Sequence, residues 1–336
     1  MDQRYSRQML FSHIGEEGQK KLHDSKVLIV GMGALGTVLA NHMVRAGVGH
    51  VKFADRDYVE YSNLQRQMLF DEKDASESVP KAVAAQRKLQ QVNSSVKIEG
   101  IVTDVTAMNI DELATGVDLI LDGTDNFQTR FLLNDYCYKN GLPFVYGGAV
   151  SSRGMQATFI PGETPCLRCF INEGSSSETC DTSGVIAPIV DIVASYQAID
   201  AMKFLVGKKD AIRKSLLSID VWHNLNHQMK WTKPKADCLT CGENVYPSLN
   251  VENEDQFLSL CGRETVQISP KNIQKRELSE WASRLSKVGE VKKTPFLVRC
   301  EVEDLRLVLF TDGRVLVQGT DDVSKAKNVY TKYIGM

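Results

Sequence analysis

The chain carries almost no net charge: 40 basic and 42 acidic residues leave −2 over 336 residues. That near balance excludes a global basic field for nucleic acid, and there is no acidic tail. The first residues, Met1-Asp2-Gln3-Arg4-Tyr5-Ser6-Arg7, lack the apolar core of a signal peptide. The longest apolar run, Gly184 to Val206, is interrupted by Pro188, Asp191, Asp200 and Lys203, which suits a buried helix and not a membrane span. Neither an H-E-x-x-H motif nor a Ser-His-Asp order appears, and there is no internal repeat. These absences lead to the expectation of a soluble, cytoplasmic protein of about two domains, with no nucleic-acid or membrane partner.

What is present is more specific. Eight cysteines in a chain of this kind argue against a disulfide framework. Four of them form the pairs Cys166-x-x-Cys169 and Cys238-x-x-Cys241. Each pair puts two thiolates on a tight turn, and two such turns make a tetrahedral S4 site suited to structural Zn²⁺. A redox dithiol is the alternative, although one pair would suffice for it. Cys180 stands apart, in the small polar stretch Asn172 to Ser183. It is a candidate nucleophile or sulfur acceptor, or an inert loop thiol. Cys137, Cys261 and Cys300 fall in helix or strand patterns and read as core residues.

The stretch Lys26 to Arg66 organises the rest. A buried-strand run, Val27-Leu28-Ile29-Val30, leads into Gly31-x-Gly33-x-x-Gly36 and an apolar-periodic helix. A second strand, Val51 to Ala54, ends at Asp55. This is the pattern of a β-α-β nucleotide unit: glycines let phosphate approach the backbone, and the acid accepts from a ribose hydroxyl. Nicotinamide dehydrogenases share it. The sequel, Ser62-Asn63-Leu64-Gln65-Arg66, then Lys81 and Thr124-Asp125-Asn126, favours a triphosphate with Mg²⁺. Arg66 and Lys81 are otherwise ordinary surface cations. Asp125 reads as a helix N-cap and metal ligand in one. Asp122 is ambiguous, Arg130 reads as a bracing residue, and His223 with His227 reads as a non-ligand pair.

Strands and helices alternate up to Phe144-Val145-Tyr146, including a loop at Asp71 to Ser78 and a helix entered through Pro80. The fold expectation is an α/β, Rossmann-like, mostly parallel sheet extended by antiparallel strands, with a zinc-binding region. A small C-terminal α+β appendix follows, with a helix around Arg276 to Leu285 and strands at Phe296–Glu301, Leu305–Phe310 and Val315–Val317. The domains are placed at 1–246 and 247–336.

With these motifs together, the chain from Arg4 to about Tyr246 resembles the ThiF/MoeB/HesA family, relatives of the ubiquitin-activating enzymes. The resemblance implies an enzyme that uses ATP and Mg²⁺ to adenylylate the C-terminal glycine of a ubiquitin-like sulfur carrier ending in Gly-Gly. It also implies a homodimer, with a sulfur-donating desulfurase as a further partner. Its nucleotide set would be Gly31, Gly33, Ala34, Asp55, Ser62, Asn63, Gln65, Arg66, Lys81, Asp125 and Asn126. Of these, Asn63, Arg66 and Lys81 would contact phosphates, and Asp125 would hold Mg²⁺. Arg7 would reach the partner subunit's ATP, the four paired cysteines would bind zinc, and Cys180 would match a cysteine that links to the carrier. The loop before Lys81 is longer than in short family members, and the appendix has no assigned role. The competing functions are a nicotinamide oxidoreductase and a non-catalytic carrier-binding scaffold.

Overall fold

A computed structural model describes residues 3–171, 183–231, 233–250, 256–260, 264–269 and 277–335. These fall into two compact units, the first formed by residues up to 177 and from 185 to 251, the second by residues 178–184 and those from 252 onward.

In the first unit, α1 (Ser6–Met9) and α2 (Gly15–Asp24) precede β1 (Lys26–Val30), whose Val27, Leu28 and Ile29 are wholly buried. A strand with both faces buried has to be apolar throughout, which is why the run reads as continuous and not alternating. The chain then forms α3 (Ala34–Ala46), β2 (His50–Asp55), α4 (Glu72–Ser76), α5 (Lys81–Val92) and β3 (Lys97–Val102). Next come α6 (Ile110–Ala114), β4 (Leu119–Asp122), α7 (Phe127–Asn140), β5 (Phe144–Val150) and β6 (Arg153–Phe159). The unit closes with α8 (Ala187–Leu205), β7 (Ser215–Asp220) and β8 (Leu225–Lys230).

These eight strands make one sheet in the order β3-β2-β1-β4-β5-β6-β7-β8. The first five run parallel and the last three antiparallel. Strand order reverses direction between β1 and β4, and the crevice beyond their carboxyl ends is where such sheets bind ligands. The long apolar run becomes α8, which starts with Pro188 in its first turn and buries Ile189, Val190, Val193 and Ala194. No described helix is long and apolar enough to cross a membrane.

The second unit is a six-stranded antiparallel sheet, ordered β11-β12-β13-β14-β10-β9. Its strands are β9 (Gln256–Leu260), β10 (Thr265–Ser269), β11 (Glu290–Lys293), β12 (Leu297–Val302), β13 (Leu305–Phe310) and β14 (Val315–Gln318). Leu305, Leu307 and Leu309 alternate onto one face of the sheet. There they join a core with Leu278 and Leu285 of α9 (Leu278–Leu285) and Ala326 and Val329 of α10 (Val323–Tyr333).

The mostly parallel sheet, its antiparallel extension and the α+β appendix agree with expectation. The local differences are instructive. The segment read as a loop, Asp71 to Ser78, contains α4, where Asp71 and Asp74 each accept the other's backbone N–H in a reciprocal cap. The appendix has β9, β10, β11 and α10 beyond the expected elements. Cys137 and Cys300 are buried core residues, while Cys180, Cys261 and nearly all of the polar stretch around Cys180 lie outside the described residues.

Candidate active site and metal centre

The glycine loop is clamped from both sides. Gly31 donates its N–H to the carbonyl of Ala54 (2.8 Å), and Gly123 donates to the carbonyl of Val30 (2.8 Å). A Cβ at Gly36 would stand 1.9 Å from the carbonyl oxygen of Gly31, so helix and loop can only meet through a glycine there. Gly33 is different. A Cβ added to it meets nothing nearer than Gln67 Nε2 at 3.8 Å. The protein's own packing does not require that glycine. The open space lies at the N-terminus of α3, where unpaired backbone N–H groups attract anions.

Asp55, at the end of β2, braces the same loop. Its Oδ2 accepts the Met32 N–H (2.6 Å) and its Oδ1 accepts the Asp57 N–H (2.7 Å). Burial pushes its carboxyl above the usual range, against the pull of the Lys81 charge. Each oxygen keeps acceptor capacity for a ligand hydroxyl. Lys81 begins α5 with its side chain buried, Nζ lying 3.5 Å from Asp57 Oδ2, while its N–H is held by the Asp57 carbonyl at 2.9 Å. Asp57 was not singled out in the sequence, although a second acid two residues after a strand-end acid was a visible signal. A pair this loose leaves the ammonium free to share itself with a second anion.

The turn carrying Ser62 to Arg66 is built around Asn63. Its buried Oδ1 accepts the Glu60 N–H (3.1 Å), which leaves the amide nitrogen for other partners; that nitrogen lies 3.4 Å from Ser62 Oγ. Arg66 donates from Nη1 to the Ser62 carbonyl (2.9 Å), and Ser62 and Gln65 are exposed. Arg7 is exposed on α1. The neighbouring Gln8 donates to the Ala46 carbonyl (2.9 Å), at the end of α3 opposite the glycine loop. That end is about 18 Å along the helix from Ala34, well beyond the reach of one side chain.

At the end of β4, the expected double duty of Asp125 is corrected. The N-cap of α7 is Asn126, with extended backbone angles (φ −129°, ψ 147°) and its Oδ1 accepting the Thr129 N–H at 2.8 Å. Asp125 is left exposed, with its carboxylate outside the cap. Behind it, a buried ion pair fixes the loop. Arg130 Nε bonds Asp122 Oδ2 (3.1 Å), and Nη2 donates to the carbonyls of Thr124 (2.8 Å) and Gly147 (3.1 Å). The guanidinium lies over the rings of Phe127 (5.0 Å) and Tyr146 (5.3 Å). Burial pushes Asp122 upward against the opposing Arg130 charge, and breaking such a pair would cost about 3–5 kcal/mol.

The four paired cysteines meet. Their Sγ atoms all lie within 4.8 Å of one another, with Cys166 3.5 Å from Cys238 and Cys169 3.4 Å from Cys241. Among the described residues this is the one cluster of metal-ligating side chains. Four thiols in this arrangement fit a soft, tetrahedral cation such as Zn²⁺. The knot has an organiser that sequence reasoning missed, the buried neighbours Asn134 and Asp135 of α7. Asp135 accepts from Arg168 Nε (3.0 Å) and Nη2 (2.9 Å), inside the first cysteine pair. It also accepts from Thr240 Oγ1 (2.6 Å), inside the second pair, and from the Ser248 N–H (3.0 Å). Asn134 Oδ1 accepts the Leu167 N–H (2.9 Å). His223, by contrast, is bonded to Asp220 (2.9 Å), and His227 lies on exposed β8, so neither is part of the knot.

Comparison with known proteins shows the family and the fold. Residues 5–240 match the ThiF family. The chain is 46% identical to the sulfur carrier protein ThiS adenylyltransferase of Bacillus subtilis, covering 100% of both chains. It is 35% identical to the SAMP-activating enzyme E1 of Haloferax volcanii, over 73% of this chain and 91% of that one. Among solved structures, Escherichia coli MccB bound to MccA-N7isoASN matches with a TM-score of 0.63 at 24% identity, over 71% of this chain and 74% of that one, a likeness of fold.

Proposed function

The chain belongs to the ThiF family, and on that footing we propose that it adenylylates the C-terminal glycine of a ThiS-type sulfur carrier with ATP. The observation that carries the reading is the two-way full-length match to the Bacillus ThiS adenylyltransferase, which takes in the second unit as well as the first. The archaeal relative covers only 73% of the chain. A carrier of thiamine synthesis is therefore favoured over one of molybdopterin synthesis.

In the reaction, a carboxylate oxygen of the carrier's terminal glycine attacks the α-phosphorus of ATP. The bond from that phosphorus to the bridging oxygen breaks, and pyrophosphate leaves with the electron pair. The product is a mixed anhydride of the glycine and AMP. The carboxylate is already ionised at neutral pH, so no general base is needed. Catalysis is then positioning and neutralisation of charge.

Backbone N–H groups at Gly31, Gly33 and Ala34 would receive phosphate, and Asp55 the ribose. Asn63, Arg66 and Lys81 would neutralise the phosphate chain, with Ser62 and Gln65 shaping the exposed rim. Lys81 would stay tethered to Asp57 while sharing its charge. Asp125, a hard oxygen donor not used in the helix cap, and Asn126 beside it would hold Mg²⁺, which supplies charge neutralisation on the phosphates. Arg7, at the far end of α3 from its own crevice, would serve the partner subunit of a homodimer. Cys166, Cys169, Cys238 and Cys241 would hold a structural Zn²⁺. The test is carrier-dependent ATP–pyrophosphate exchange with ThiS-type and MoaD-type carriers ending in Gly-Gly. Exchange with the ThiS-type carrier is expected, and exchange with neither overturns the reading.

A further inference from the structure

Gln67 follows Arg66 and is only 3% exposed. Its backbone is fully occupied, with N–H donating to the Asn63 carbonyl (3.0 Å) and carbonyl accepting from Phe70 (3.1 Å). Its side chain is not. Oε1 is sealed from solvent with no hydrogen-bond partner. Nε2, at the other end of the carboxamide, faces the open space at Gly33 and is the one heavy atom within 4 Å of the position a Cβ there would take.

A buried amide left unsatisfied destabilises the fold that contains it. An apolar side chain of the same shape would fill this place without that penalty. The atom left unsatisfied is the acceptor Oε1, which an oxyanion cannot pair; the end of Gln67 open to a molecule the folded chain does not itself supply is the donor, Nε2. The neighbourhood says which kind. The amide adjoins the N-terminus of α3, whose N–H groups favour an anion, and the glycine whose missing side chain makes room for one. A ligand rich in acceptor oxygens and poor in donors suits an NH₂ group pointing into that space.

We infer that the carboxamide of Gln67 donates a hydrogen bond to the phosphate chain of the bound nucleotide where it passes Gly33, and so positions it. The inference rests on the adenylyltransferase reading and adds a residue to it. Unlike Arg66 and Lys81, Gln67 contributes direction without charge. It is held rigidly by the turn that Asn63 closes, so it orders the phosphates without competing with pyrophosphate departure.

Two substitutions test this, each measured by direct calorimetric titration of the full-length protein with ATP and with adenosine, and by exchange kinetics. Gln67→Met keeps the shape and removes the donor. It should raise the thermal midpoint of the nucleotide-free protein, weaken ATP binding about tenfold and leave adenosine affinity and the KM for carrier unchanged. Gln67→Glu keeps the shape and places a carboxylate against the phosphates, and it should weaken ATP binding about a hundredfold with adenosine again unaffected. Equal losses for ATP and adenosine would mean a packing role and overturn the inference. So would wild-type ATP affinity in both variants, while exchange by the wild-type protein still stood. A wild-type protein that binds no ATP at all would remove both this inference and the function it rests on.

Discussion

Two glycines three residues apart should respond in opposite ways to the same added methyl group. At Gly36 the methyl would stand 1.9 Å from the Gly31 carbonyl oxygen and 2.8 Å from its carbon. Relief would require the loop to move by more than 1 Å, roughly the shortfall from an ordinary contact. Gly31 cannot make that move, since its N–H is tied to Ala54 and its carbonyl oxygen lies 2.4 Å from where a Cβ on Gly123 would be. Overpacking commonly costs about 1–3 kcal/mol, and here, with backbone against backbone, about 4 kcal/mol or more is expected. For a unit of this size that lowers the melting midpoint by about 8 °C or more. At Gly33 the nearest neighbour is at 3.8 Å, an ordinary van der Waals contact, so Gly33→Ala should change stability by no more than about 0.5 kcal/mol. Its methyl would instead occupy the phosphate's approach and forfeit about 1.5–3 kcal/mol of charge-assisted hydrogen bonding, a loss of roughly 10- to 150-fold in ATP affinity. Thermal scans without nucleotide and ATP titration of both variants decide the matter. A Gly33→Ala protein as unstable as Gly36→Ala, or one that binds ATP like the wild type, would refute the assignment of the open space to a ligand.

Asp125→Ala should lower carrier-dependent pyrophosphate exchange at least about a hundredfold with the melting midpoint unchanged; unimpaired exchange would remove Asp125 from the mechanism. Elemental analysis should find about one tightly held zinc per chain. Asp135→Ala removes the buried carboxylate that pairs with Arg168 beside the knot and should cost about 3–5 kcal/mol while speeding loss of zinc to a chelator; release at the wild-type rate would show that the cysteines need no such brace. Finally, inactive Arg7→Ala and Lys81→Ala proteins, mixed and allowed to exchange subunits, should regain roughly a quarter of wild-type activity, because each hybrid dimer has one complete crevice. No recovery would place Arg7 in its own subunit's chemistry or outside it.

What could be read from the sequence was what short range determines. The apolar run at Val27, the glycine spacing after it and the two cysteine pairs are local patterns, and each became the element it promised. The structure of α4 escaped because its five residues, Glu-Lys-Asp-Ala-Ser, carry no apolar stripe; it is held by the Asp71 and Asp74 carboxylates, each accepting the other residue's backbone N–H. Edge strand β11, Glu290-Val-Lys-Lys, likewise offers no alternation of buried residues. The deeper omissions are polar residues whose partners are far away in sequence. Every residue of α7 from Arg130 to Cys137 is buried, so the helix shows no polar face, and nothing local separates Asn134 and Asp135 from a solvated pair. Asp57 sits inside the nucleotide stretch and Gln67 directly after it, yet their importance lies in what they do or do not bond, which spacing cannot express. Only coordinates reveal an orphan.

The 14 residues of α7 begin at the Asn126 cap beside Asp125 and pass Asp135, about 14 Å further on, where both cysteine turns are fastened. One rod thus bears on two places: the loop that would grip magnesium at its head, the sulfur knot along its flank. A substitution midway along the rod is judged by both at once.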